Sequence, residues 1–318
     1  MDKDFAFLQK NDGACVTGIL SPGAVCAIPE TLGGLPVTEL SDRLFSGSAV
    51  EEVYLPRTLR RIGRYAFYNC ERLLRLHFYS GIREVGGGVF NASGGLKELF
   101  LYMEDREGQS PLRDFVTELS GRVTVHYFVP GQDGETREAA RLVYPVYYDE
   151  AVENTPARIT VSNIHGSGQR YRYCFVDRKV RFDRYDKVFV YERAEESVAQ
   201  AAEIALYRLR WPLSLWDEAR EEYERFLMEH LFEILCGLLG DAEMFRWAWE
   251  CAEEICKESG ESAQSRMGVS RKQSLPLTAE ELDRLTSMAA EKKTPELAGF
   301  LMEKKRRLFG AKKKTFEF

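Results

Sequence analysis

Leu44-Phe45-Ser46-Gly47-Ser48, Ala66-Phe67-Tyr68-Asn69-Cys70 and Val89-Phe90-Asn91-Ala92-Ser93 are one pattern written three times. The phenylalanines recur at steps of 22 and 23 residues, a period that marks a solenoid of stacked coils. An apolar pair precedes each one: Val37 and Leu40, Leu59 and Ile62, Ile82 and Val85. A strand-like triplet follows each one: Val53-Tyr54-Leu55, Leu76-His77-Phe78, Leu99-Phe100-Leu101. The strand period of two sends Val53, Leu55, Leu76, Phe78, Leu99 and Leu101 into the core. Gly63 and the run Gly86-Gly87-Gly88 fall where each coil must bend.

Residues 59–76 carry Leu59, Ile62, Ala66, Phe67, Cys70, Leu73 and Leu76 at the spacing L-x-x-I-x-x-x-A-F-x-x-C-x-x-L-x-x-L. This closely resembles the BspA-like leucine-rich repeat of bacterial proteins. The third copy departs from the pattern, with Ser93 in place of cysteine and extra glycines. The resemblance covers residues about 25–128 and implies protein or surface recognition more than catalysis.

Stacked repeats need a continuous buried ladder, so the recurring residues are core. The positions between them are the candidates for function. One sheet face should display Tyr54, His77 and Phe100 in a column, flanked by Glu52, Arg75 and Glu98. A row of aromatics on a solenoid face suits a protein partner. A neighbouring domain laid over the face is the other way to account for it.

Pro130-Gly131-Gln132-Asp133-Gly134 ends the repeat pattern. The segment 129–193 then reads as β-rich. It has a short helix at 135–142 and strands at 143–148, 157–163, 170–176 and 187–191. Residues 158–187 hold eight Arg or Lys against three Asp, with tyrosine and phenylalanine interleaved. Strand alternation would put Arg170 and Arg172 on one side and Tyr171 and Tyr173 on the other. Arg158, Arg170, Arg172 and Arg181 are therefore candidates for an anion or nucleic-acid surface, although no RNA-binding signature accompanies them. The turn His165-Gly166-Ser167-Gly168 is the one place to look for a nucleophile. The G-x-S-x-G elbow needs a helix to follow, whereas a strand is expected after this turn, and no third residue marks a pair of His165 with Cys174.

Residues 194–318 read as α-helical. Helices are expected over 196–211, along the apolar stripe from Tyr223 to Leu238, and over 241–258. Residues 259–276 read as a loop rich in Ser, Gly and charge. Thr278 with Glu281 forms a capping box, and Thr294-Pro295 opens a last helix. The pair 278–291 and 295–309 makes a helical hairpin, weakly ankyrin-like. Lys304-Lys305-Arg306-Arg307 and Lys312-Lys313-Lys314 form a basic tail, which suits a helix C-terminus or an anionic partner.

The whole is expected to be an α+β chain in three parts: a solenoid at 1–128, a β-rich segment at 129–193 and a helical domain at 194–318. The 318 residues are 44% hydrophobic and 30% charged, with a net charge of −6, ordinary values for a globular protein. No run of roughly 18 apolar residues exists, so no membrane span is expected. The start lacks a basic segment followed by an apolar one, so no signal peptide is read. Seven cysteines without C-x-x-C spacing and four histidines without helical pairing give no metal site. These features point to a cytoplasmic, non-enzymatic protein without cofactor whose sheet face binds another protein. The rival readings are a nucleic-acid binder using 158–187 and the basic tail, and an enzyme centred on His165, Ser167 and Cys174.

Overall fold

The structure, a computed structural model, describes residues 4–21, 23–106, 108–131, 133–154, 159–267 and 275–310. The chain divides into two compact units, 1–196 with 210–215, and 197–209 with 216–318.

The first unit contains a solenoid with two sheets. In the first sheet, strand β1 (Phe5–Lys10) pairs antiparallel with β2 (Gly13–Ile19). From β2 the sheet runs parallel through β5 (Leu35–Leu40), β7 (Arg61–Ile62) and β9 (Glu84–Val85). Short β4 (Thr31–Leu32) folds back on β5. The second sheet stacks β3 (Val25–Ala27), β6 (Glu52–Tyr54), β8 (Arg75–Tyr79), β10 (Glu98–Tyr102) and β11 (Val123–Pro130) in parallel. Strand β12 (Thr136–Tyr144) closes it in the antiparallel sense.

The register puts Val53, Leu76, Leu99 and Val125 on one line. All four are buried, as are Leu55, Phe78 and Leu101. Phe45, Phe67 and Phe90 stack behind them, with ring centroids 4.9 and 5.6 Å apart. Each of these rings is flanked, two residues away on either side, by left-handed backbone. Arg43, Tyr65 and Gly88 precede them with φ of 59°, 55° and 70°, and Gly47, Asn69 and Ala92 follow with φ of 71°, 54° and 59°. That conformation aims the N–H groups of each coil at the carbonyls of the next. Phe45 N–H donates to Ala66 O at 2.8 Å, and Phe67 N–H to Val89 O at 3.0 Å. Gly86 is required by close stacking, because a Cβ there would stand 2.4 Å from the Arg64 nitrogen.

The third residue after the phenylalanine ties one coil to the one before. Cys70 Sγ donates to Phe45 O at 2.9 Å, and Ser93 Oγ donates to Phe67 O. A hydroxyl therefore makes the same bond as the thiol, which accounts for the departure at Ser93. The last coil has no successor, and helix α1 (Leu112–Glu118) covers its end. Phe115 lies edge-on to Phe90 and Phe78. Glu118 accepts from Gly88 N–H at 2.7 Å and Phe90 N–H at 3.2 Å, in place of the missing carbonyls.

Several expectations for the middle segment are corrected. Residues 135–142, expected as helix, fall in β12 from Thr136 on, where the sheet edge takes up their backbone groups. Strands β13 (Tyr148–Asn154) and β14 (Ile159–His165) form a hairpin. Residues 170–176, expected as strand, are one turn of helix α2 (Gly168–Arg172) leading to β15 (Phe175–Val176), which pairs with β16 (Lys179–Val180). Residues 187–191 belong to helix α3 (Phe182–Glu195). The β-branched and aromatic run Val188-Phe189-Val190-Tyr191 misleads there. Tyr185, Phe189 and Glu192 are the buried face, at helical spacing.

The second unit is helical: α4 (Val198–Arg210), α5 (Asp217–Glu229), α6 (Leu231–Gly237), α7 (Ala242–Met267), α8 (Ala279–Glu291) and α9 (Pro295–Phe309). The stripe expected as one helix breaks between α5 and α6 at His230, whose φ is −116°. The loop expected from 259 begins later, because α7 continues to Met267. The capping box forms as expected: Glu281 N–H donates to Thr278 Oγ1 at 3.1 Å and Thr278 N–H to Glu281 Oε2 at 2.8 Å.

Candidate functional site

The outward residues of the second sheet form three columns. Glu52, Arg75, Glu98 and Thr124 are in register in the first. Tyr54, His77, Phe100 and His126 are in register in the second. Tyr79, Tyr102 and Phe128 make the third. The sequence reading named the first two columns down to Glu98 and Phe100. It missed the third, which was signalled by aromatics two residues past His77, Phe100 and His126.

The second column is a continuous stack. Ring centroids lie 4.0 Å apart from Tyr54 to His77, 4.2 Å from His77 to Phe100 and 4.4 Å from Phe100 to His126. In the third column Tyr79 to Tyr102 is 5.2 Å and Tyr102 to Phe128 is 4.9 Å. Parallel strands about 4.8 Å apart impose this spacing. The ring faces are consumed by stacking, and edges and hydroxyls are what the column offers outward. His77, expected as an exposed residue, is only 8% exposed because rings cover both its faces, whereas Tyr54 is 39% exposed.

Glu52 organises one end of the face. It accepts from Tyr54 Oη at 2.7 Å and Arg75 at 2.8 Å, and stands 2.9 Å from His77 Nε2. The Arg75 guanidinium, with those hydrogen bonds, holds its carboxyl down at about 2. An ionised Glu52 needs a donor, so His77 carries its proton on Nε2, and Nδ1 accepts from Tyr102 Oη at 3.2 Å. Burial lowers the His77 pKa and favours this neutral form. At the other end His126 has Glu138 2.9 Å from Nδ1 and Glu98 3.3 Å from Nε2. Arg141 pairs with Glu138 at 2.8 Å and stacks on Trp211 at 3.8 Å.

Among the described residues of the candidate anion surface, Arg170, Arg172 and Arg181 are each engaged by other groups. Arg172 is buried, so its place on such a surface is corrected. One helical turn puts Tyr171 and Arg172 on the same inner side, against the expected alternation. The Arg172 guanidinium donates to the carbonyls of Val116, Leu119, Gly121, Pro145 and Gly168 at 2.6–2.9 Å. Arg170 pairs with Glu195 and Arg181 with Asp183. Arg158 lies outside the described residues. In the basic tail, Lys304 binds Glu253 and Lys305 binds Asp283, and Lys312-Lys313-Lys314 lies outside the described residues.

The residues of the candidate nucleophile site each have another partner. His165 stands 3.1 Å from Glu150 and stacks on Tyr148. Cys174 Sγ donates to Arg170 O at 3.4 Å, and burial pushes its thiol up to about 12. Ser167 Oγ donates to Glu192 Oε2. Both Ser167 and Glu192 are fully buried, and burial raises the Glu192 carboxyl to about 7. A cavity of about 690 Å³ lies beside the turn, lined by residues that include His165, Arg170, Glu195 and Glu196. Among the described residues no cluster of three His, Cys, Asp or Glu could hold a metal ion, and no helix is long and apolar enough to cross a membrane.

Residues 36–106 match the family described as "BspA type Leucine rich repeat region (6 copies)". Similar solved structures include a leucine-rich repeat protein of T. pallidum at 28% identity, covering 31% of this chain and 51% of that one, with a TM-score of 0.30. A leucine-rich cell surface protein from Faecalibacterium prausnitzii A2-165 is 25% identical over 32% of each chain, with a TM-score of 0.29. A leucine-rich repeat protein from Bacteroides ovatus ATCC 8483 is 24% identical over 32% of this chain and 30% of that one, with a TM-score of 0.27. The chain thus spans about half the length of the first and about a third of the other two. No curated protein matches it. The N-terminal solenoid is of the BspA-type leucine-rich-repeat kind, followed by a small β-rich segment and an α-helical C-terminal region.

Proposed function

We propose that this protein is a non-catalytic interaction module that binds another protein through the three-column face of its second sheet. Glu52, Tyr54, Arg75, His77, Glu98 and Phe100 are the contact residues, extended by Tyr79, Tyr102 and Phe128. The observation that carries this reading is the fixed geometry of the face. Stacked rings and paired charges lose little freedom on binding, which lowers the entropic cost of association. A leucine-rich repeat also has protein recognition as its general use, and a broad sheet face suits it.

The test is capture by the full chain and by a Tyr54→Ala/Phe100→Ala variant with unchanged circular dichroism. A protein captured by the wild type is identified, purified and titrated against both. Binding weakened at least about tenfold in the variant supports the reading, in line with aromatic anchors at an interface. Equal binding removes this face from the interaction.

A further inference from the structure

The contact between Ser167 and Glu192 lies away from the sheet face and serves no part of the proposed binding. Glu192 sits one turn from the C-terminal end of α3 and is fully buried. Its Oε2 takes the Ser167 hydroxyl, and its Oε1 is buried with no hydrogen-bond partner among the described residues. An ionised carboxylate has about four acceptor positions to fill. A single donor leaves such a charge poorly solvated, whereas the neutral acid asks for less.

The neighbouring carboxylates press the same way. Glu195 and Glu196 follow on the same helix end, where the helix dipole also disfavours negative charge. Glu196 accepts from Ser167 N–H at 3.2 Å, and Glu195 is occupied by Arg170 of α2 at 2.8 Å. His165 at the end of β14 pairs with Glu150. The bond from the Ser167 hydroxyl and the charge of Arg122, just before β11, favour the ionised form, and burial outweighs both.

We propose that the Ser167–Glu192 contact is a proton-operated latch: the protonated acid seats the 165–168 turn on the end of α3, and ionisation releases the turn. The turn and the helix end both line the 690 Å³ cavity, so the latch sets the shape of that cavity. The raised Glu192 pKa, about 7, places the change near neutral pH.

Hydrogen exchange of the full chain from about pH 5.5 to about pH 8.5, corrected for intrinsic exchange, tests this. Protection of residues 164–170 and 190–196 should fall by up to about tenfold per pH unit above the midpoint in the wild type. Glu192→Gln should keep it constant, and Ser167→Ala should lower it already at the acid end. Protection that does not change with pH in the wild type overturns the latch, as does the same pH dependence in Glu192→Gln. A carbon-13 titration of the Glu192 carboxyl in the wild type guards against a variant that fails to fold. A midpoint in the ordinary glutamate range also overturns the proposal.

Discussion

Five backbone carbonyls converge on the Arg172 guanidinium, drawn from α1, the loop after it, the residue after β12 and α2. Among the described residues no carboxylate bonds to it, and burial lowers the Arg172 pKa to about 10. The carbonyls of Val116 and Leu119 end α1, where the helix dipole favours a cation. Arg172→Met should cost the first unit roughly 3–5 kcal/mol, the scale for removing one side of a buried charged network. Arg172→Lys should recover only part, because a compact ammonium cannot span carbonyls on several sides. Urea unfolding read by hydrogen exchange of residues 112–121 checks both, and a wild-type midpoint in Arg172→Met would sink the clasp. The bond from Ser93 makes a smaller claim of the same kind. Ser93→Ala removes the donor to Phe67 O and the acceptor for Cys70 N–H. It should cost about 1–3 kcal/mol, and Ser93→Cys, which restores the thiol of the preceding coil, should cost less.

At the scale of elements, the end of the solenoid depends on α1. Its Phe115 covers the last ring of the core, and its Glu118 replaces the carbonyls of an absent coil. Glu118→Ala should destabilise the first unit by about 1–2 kcal/mol, since the carboxylate is exposed and one of its bonds is long. Exchange at Gly88 and Phe90 should quicken first, and unchanged protection there would refute the capping role. Neither α1 nor its cap was read from the sequence. The repeats were legible because Phe45, Phe67 and Phe90 stay in register with the coil, whatever lies around them. The middle segment was not. Residues 136–144 became a strand only because β11 offers an open edge, and Arg172 went inward only because five carbonyls await it there. Both facts come from chain distant in sequence. The candidate face was half legible for a related reason: register with a phenylalanine gives the first two columns, but Tyr79, Tyr102 and Phe128 count only once β8, β10 and β11 are known to run on past the triplet.

Across the first unit as a whole, titration acts in two opposed directions. Glu52 is lowered from 4.5 to about 2, so its contribution is present above pH 4.5 and is lost as pH falls towards 2. His77 is lowered from 6.5, so its contribution is complete above that value and is lost as pH falls through the depressed one. Glu192 is raised from 4.5 to about 7, so its contribution is complete below 4.5 and is lost as pH rises to about 7. Comparison of variants with wild type separates these limbs. Glu192→Gln mimics the neutral acid, so its stability relative to wild type should rise between pH 4.5 and about 7 and be flat beyond both limits. Glu52→Gln should differ from wild type by a constant amount above pH 6.5, where His77 is neutral in both, and that difference should shrink as pH falls towards 2. Urea midpoints for peptides of the first unit, taken across the range, measure both. Two variant curves that run parallel to wild type at every pH would show that neither group is coupled to folding. A Glu192→Gln curve that tracks wild type while Glu52→Gln departs in acid would keep the ordered face and discard the latch.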